Sequence, residues 1–136
     1  MNLDDYQKEA EIDVKLDTSH IDRCAAELPT KINKWLRYSN KEKIKLKSFE
    51  QDRDRIRRVL YAHYAGYSAD PYQYNIDRVE IKEFINGDEN FQDAEQVVTV
   101  QKIICDYIRD VVDTLNKSGF SINNYISWQK FQAGEY

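Results

Sequence analysis

Apolar residues along most of the chain recur at spacings of three and four, the signature of helices with one buried face. Residues 3–12 predict a short helix with Leu3, Tyr6 and Ala10 on one side. The segment "DVKLD" breaks that rhythm, and Asp17 or Thr18 then offers a cap for a new helix. There Ile21, Ala25, Leu28, Ile32, Trp35 and Leu36 form one stripe, with a bend expected at Pro29, which lacks an amide donor and crowds the preceding turn. Ser39 and Glu42 have the spacing of a capping box, so a second helix could begin at Ser39, or the first could run straight through. Either way the helical pattern reaches Tyr64, and Gly66 is a natural stop.

Residues 67–76, "YSADPYQYNI", predict a loop, followed by a short helix near 77–85 and a turn at "NGDEN". The most apolar helix is expected from Phe91 to Lys117. Its main stripe is Val97, Val100, Ile104, Ile108, Val111 and Leu115, widened by Val98, Ile103, Tyr107 and Val112. Gly119 is expected to end it, and a last helix over 121–132 carries Ile122, Tyr125, Ile126, Trp128 and Phe131. The fold class is therefore all-α, with several amphipathic helices, two of them long. Four Gly and two Pro in 136 residues leave little material for the turns of a β fold. The length predicts one domain over 1–136.

Charge changes the picture. The chain as a whole is acidic, with 20 Lys and Arg against 24 Asp and Glu. Residues 31–58 nevertheless hold eleven cations and only four acids, a net of +7, which leaves −11 for the remainder. At about 100° per residue, Lys34, Arg37, Lys41, Lys45 and Arg55 fall on one arc of a continuous helix, with Lys43, Lys47 and Arg58 flanking the other side. Solvated faces normally mix signs for pairing at i, i+4. A face this cationic fits a polyanion, whose phosphates release counterions when neutralised. The tyrosines that follow, at 61, 64, 67, 72 and 74, suit single strands, because exposed bases stack on aromatic rings. Tyr61 and Tyr64 read better as core, and Tyr67 and Tyr72 as stacking candidates. The alternative use of the basic helix is to grip an acidic protein partner, as an oligomeric adaptor or an assembly protein without nucleic acid.

The remaining chemistry is sparse. No phosphate-cradling G-x-x-x-x-G-K-[ST] is present, and His20 and His63 stand near neither a Cys nor a paired carboxylate. Asp106, Asp110 and Asp113 share a helical side without a His and read as a solvated acidic face. Cys24 and Cys105 form no C-x-x-C and are expected as buried thiols in a reducing cytoplasm. No enzyme activity, cofactor or metal is expected. The acidic N-terminus has no apolar core of a signal peptide, and no run of about 18 apolar residues could cross a membrane.

Several segments together resemble the UvsY family of phage recombination mediators: "DDYQKEAEIDVKLD", "KWLRYS", "LYAHYAG", "IDRVE" and, most specifically, "NKSGFSINNYISWQKFQAG". The resemblance covers nearly the whole chain. It implies a protein that is not an enzyme, that binds single-stranded DNA, and that works with a phage single-strand binding protein and a RecA-like recombinase in the infected bacterial cytoplasm. It also implies a ring of about six or seven subunits assembled through the C-terminal segment. On that basis residues 17–66 become the DNA-binding region and 91–134 the assembly region, with Phe120, Ile122, Ile126, Trp128 and Phe131 as contact candidates. Family DNA contacts late in the central helix fall on Arg58 and on position 60, which is Leu60 here; Arg57 or Arg55 is expected to take over that missing charge.

Overall fold

The structure, a computed structural model, describes residues 1–134, so Glu135 and Tyr136 of the expected domain lie outside the described residues. Four helices follow one another: α1 (Leu3–Asp13), α2 (Ile21–Tyr64), α3 (Arg78–Gly87) and α4 (Glu89–Gln132), with a 3₁₀ turn at Thr18–His20 leading into α2. No strand occurs among the described residues. The chain divides into two compact units, residues 1–42 with 104–136, and residues 43–103; both long helices run through both units.

The first unit is built on α1. Asn2 caps it: its side-chain oxygen accepts from the Asp5 amide at 2.9 Å, and the Asn2 amide donates to the Asp5 carboxylate at 2.9 Å. The acids Asp4 and Asp5 in the first turn also suit the positive end of the helix dipole. One turn apart, Tyr6 and Ala10 then enter a core with Trp35, Ile104, Ile108, Val111 and Leu115. Each of its large side chains contributes about 1.5–3 kcal/mol by leaving water. From Ile104 to Ile122 the buried positions of α4 are 104, 108, 111, 115, 118 and 122, alternating four and three. That is the spacing of a seam along one side of a helix.

α2 is one helix that contains Pro29 and runs through Ser39, the continuous one of the two readings open there. Trp35, Ser39 and Glu42 are its buried residues, at successive one-turn spacings. Ser39 is therefore the small member of a packed face rather than a cap, and Glu42 is the buried partner of Tyr6. α4 likewise continues through Gly119, where a Cβ would meet only Leu28 Cδ2 at 3.8 Å. Packing of Ser118 and Ile122 outweighs the ~1 kcal/mol that glycine costs a helix.

The second unit has its own core of Ile81, Ile85 and Phe91, backed by Ile56, Leu60, Tyr64, Ala65 and Ile76. α2 stops where expected: Gly66 takes φ 84°, a left-handed conformation that favours glycine, while the Tyr67 amide returns to the Ala62 carbonyl at 2.8 Å. The expected turn "NGDEN" shrinks to Asp88, which closes α3 and caps α4 by accepting from the Phe91 amide at 2.9 Å. Val97 and Val100, expected in the main stripe of α4, are exposed, and Val98 is buried instead. Cys24 and Cys105, expected to be buried, are only half-buried, and neither forms a disulfide among the described residues.

Candidate nucleic-acid interface

The basic run lies entirely on α2, and each unit carries its own part of it. In the first unit it contributes Lys34, Arg37 and Lys41. Lys34 is held between Glu9, 2.8 Å away, and Asp13, 2.5 Å away. Burial pulls its pKa down, but the bonds from Asp13 and Glu9 outweigh that and leave it raised. Asp13 also accepts from the Trp35 indole at 2.8 Å, and Glu9 accepts from the Tyr38 hydroxyl at 2.9 Å. Lys34 thus belongs to a network that fastens α1 to α2. Arg37 and Lys41 are exposed and, among the described residues, make no ion pair.

In the second unit Lys43, Lys47, Arg55, Arg57 and Arg58 are exposed, and Lys45 is half-buried. At about 100° per residue, Lys43, Lys47, Arg55 and Arg58 share an arc of about 120° on the side opposite Ile56 and Leu60, which face the core. Lys43, Lys47 and Arg58 make no ion pair among the described residues. Arg55 meets Asp52 at 3.3 Å and Arg57 meets Asp54 at 3.2 Å, both in solvent. Exposed pairs of that kind are worth at most about 1 kcal/mol and leave both guanidinium groups open to exchange partners. Arg53 differs: its side chain is 15% exposed and bonded to Asp54 at 3.2 Å and Glu95 at 3.5 Å, which makes it a structural cation.

The tyrosines separate as well. Tyr64 stacks on Phe84 with centroids 5.4 Å apart, and Tyr72 packs edge-on against Tyr64 at 5.2 Å. Tyr67 is 80% exposed, and Tyr61 is exposed beside the end of the basic run. Sequence reasoning passed over Arg78 and Lys82 on α3, which share a cleft with Arg57 and Tyr61. Their i, i+4 spacing was the available signal, hidden because neighbouring acids make that segment acidic.

At the far end of α4, Phe120, Trp128 and Phe131 are exposed, and the rings of Trp128 and Phe131 stack at 6.0 Å. Ile126 is half-buried, and Ile122 is buried within its own chain.

The family model described as recombination, repair and ssDNA binding protein UvsY matches residues 9–135. The chain belongs to the UvsY family. A curated UvsY relative, the recombination protein uvsY of Enterobacteria phage T4, is 23% identical over 138 residues, spanning 99% of this chain and all of the relative. The fold is that of the crystallised phage T4 recombination mediator protein UvsY. One lattice form superposes with a TM-score of 0.90 at 21% identity, covering 98% of each chain. Another gives 0.88 at 20% identity over 96% of this chain and 99% of the crystallised one. Among the described residues no helix is long and apolar enough to cross a membrane, and no cluster of three or more His, Cys, Asp or Glu could hold a metal ion.

Proposed function

We propose that this protein is a recombination mediator that binds single-stranded DNA and helps a RecA-like recombinase load onto strands covered by a phage single-strand binding protein, in the cytoplasm of an infected bacterium. The observation that carries this reading is the set of exposed cations on α2 that pair with no carboxylate among the described residues, in a chain whose net charge is −4 and whose family is a recombination and repair family. An acidic protein has no electrostatic reason to leave such cations unpaired unless an external anion takes them up. Arg37 and Lys41 in one unit and Lys43, Lys47, Arg55, Arg57 and Arg58 in the other are the proposed phosphate contacts, with Lys45 at their margin. Tyr67 is the proposed stacking residue. Lys34 serves the fold through Glu9 and Asp13.

The chain itself performs no covalent step in this scheme. Cations hold the strand while the acidic remainder stays off it and meets the partner proteins. Copies of the chain assemble as a ring of six or seven through Phe120, Trp128 and Phe131, with Ile126 and Ile122 packed behind, and the ring repeats the cationic face around the strand. The test is the salt dependence of binding to an unstructured oligonucleotide. The pair Lys47→Gln and Arg58→Gln is expected to weaken binding and to flatten the log–log salt slope by about 1.4, at about 0.7 per lost phosphate contact. An unchanged slope removes those residues from the interface. Indifference of the unaltered protein to the oligonucleotide at low salt overturns the DNA reading in favour of an acidic protein partner.

A further inference from the structure

Beside the basic face, the second unit holds a cleft of about 480 Å³, within the ~300–1,000 Å³ range of small-ligand sites. Arg57 and Tyr61, one turn apart on α2, form one wall; Arg78, Lys82 and Asn86, one turn apart on α3, form the other; Ile81 and Ile85 make the floor. No acidic residue is among these lining groups. At about 100° per residue Arg78, Lys82 and Asn86 lie within about 80° of one another on α3, while Glu80 and Glu83 fall about 100° or more from the middle of that arc. Arg78 and Lys82 are exposed and, among the described residues, have no ion pair. Arg57 is steadied by Asp54 at 3.2 Å and by the Phe91 ring, 5.3 Å from its guanidinium carbon. Arg78 and Lys82 stand on a helix capped by Asp77, whose carboxylate accepts from the Glu80 amide at 2.9 Å, so their spacing is fixed before any ligand arrives.

We propose that this cleft seats one nucleotide unit of a single strand, with the phosphate among Arg57, Arg78 and Lys82 and the base against Tyr61 and the Ile81–Ile85 floor. Arg78 and Lys82, which pair with no acid among the described residues, and Arg57 beside them ask for phosphate. An apolar floor beside a tyrosine asks for a flat, weakly hydrated surface next to that phosphate. A free phosphate leaves the floor unused, and a duplex keeps its bases stacked inside and out of reach. The inference rests on the single-strand reading above and deepens it: α3 becomes a second contact element, and preference for unpaired strands acquires a structural cause.

The full-length protein tests it by titration with oligo-dT and with an abasic oligonucleotide of equal length. The pair Arg78→Gln and Lys82→Gln is expected to keep its helicity and to lose about 1.4 from the salt slope. The pair Lys15→Gln and Lys102→Gln, which removes the same charge elsewhere, is expected to leave the slope alone. Tyr61→Ala is expected to lower affinity for oligo-dT about tenfold while binding of the abasic strand holds. If the α3 pair binds like the unaltered protein while Lys47→Gln with Arg58→Gln binds weakly, the cleft is not a site and the single-strand reading stands. Equal losses in the α3 pair and the distant pair, or equal losses of Tyr61→Ala on both strands, also overturn the cleft. Failure of the unaltered protein to bind either strand removes the single-strand reading and the cleft together.

Discussion

Tyr6 and Glu42 show how one residue pair can fix a packing arrangement. Tyr6 is 0% exposed and Glu42 1% exposed, and the tyrosine hydroxyl donates to the carboxylate at 2.8 Å. A buried carboxylate is costly unless hydrogen-bonded, so losing one donor exposes that cost. Tyr6→Phe is expected to destabilise the protein by about 1–3 kcal/mol, measured by urea unfolding at neutral pH. Burial first, then the bond to Glu42, pushes the Tyr6 pKa well above its ordinary 10. Tyr38 and Tyr107 are also raised, chiefly by burial. A group raised in the folded state contributes stability that is complete below its unfolded pKa and is lost as pH climbs through the folded one. Unfolding free energy is therefore expected to be independent of these tyrosines up to about pH 10 and to fall above it, with a shallower fall in Tyr6→Phe. An equally steep fall in the variant removes Tyr6 from the alkaline transition. At this scale the sequence was only partly legible. The three-residue spacing of Ser39 and Glu42 was plain, but a capping box and a buried polar face share that spacing, and only α1 on the other side decides between them.

At the level of the helix, local signals and long-range packing compete, and the outcomes differ along the chain. The Asn2 cap, the Asp17 turn before α2 and the Gly66 stop are settled within a few residues; the sequence marked Asp17 and Gly66 by their own chemistry, while the Asn2 cap went unread. Side-chain and backbone bonds from Ser19 and a bond from His20 hold Asp17 at a pKa of about 2, so that local turn keeps its charged acceptor in any mild acid. Gly119 and Pro29 are breakers by propensity, yet both helices pass through them, because the partner surfaces that reward continuity lie far away in sequence. Gly119 has ordinary helical φ and a Cβ there meets only Leu28 at 3.8 Å. Gly119→Ala is therefore expected to raise stability by about 0.5–1 kcal/mol, seen as a higher melting temperature with unchanged helicity. A lowered melting temperature means that the Leu28 contact cannot absorb a methyl group. The expected stripe of α4 holds at Ile104, Ile108, Val111 and Leu115 and fails only at its start: Val97 and Val100 match a helical period, but Val98 is the buried residue there.

For the whole molecule the open question is what covers the aromatic end of α4. Phe120 is 72% exposed and Trp128 55% exposed, on a chain of 136 residues that can bury about two thirds of its unfolded surface without them. Large exposed aromatics on a helix terminus mark an interaction surface, and aromatic side chains each bring about 150–250 Å² to a contact. At about 25 cal/mol per Å² a few such residues supply several kcal/mol, comparable to the cost of association, so the proposed assembly through this end is expected to depend on protein concentration. Because the rings are exposed in the single chain, replacing them costs the fold little. Phe120→Ser with Trp128→Ser is therefore expected to lower the mass measured by light scattering while far-ultraviolet dichroism and the melting temperature change little. The same variant separates assembly from strand contact. Its cations are intact, so affinity for an oligonucleotide short enough to touch one subunit is expected to hold. Affinity for a strand long enough to bridge subunits should fall by about 10²-fold or more, as the effective concentration supplied by neighbouring copies is lost. Equal affinity for long strands in the assembled and dispersed forms would mean that each chain acts alone and that the aromatic end serves some other contact.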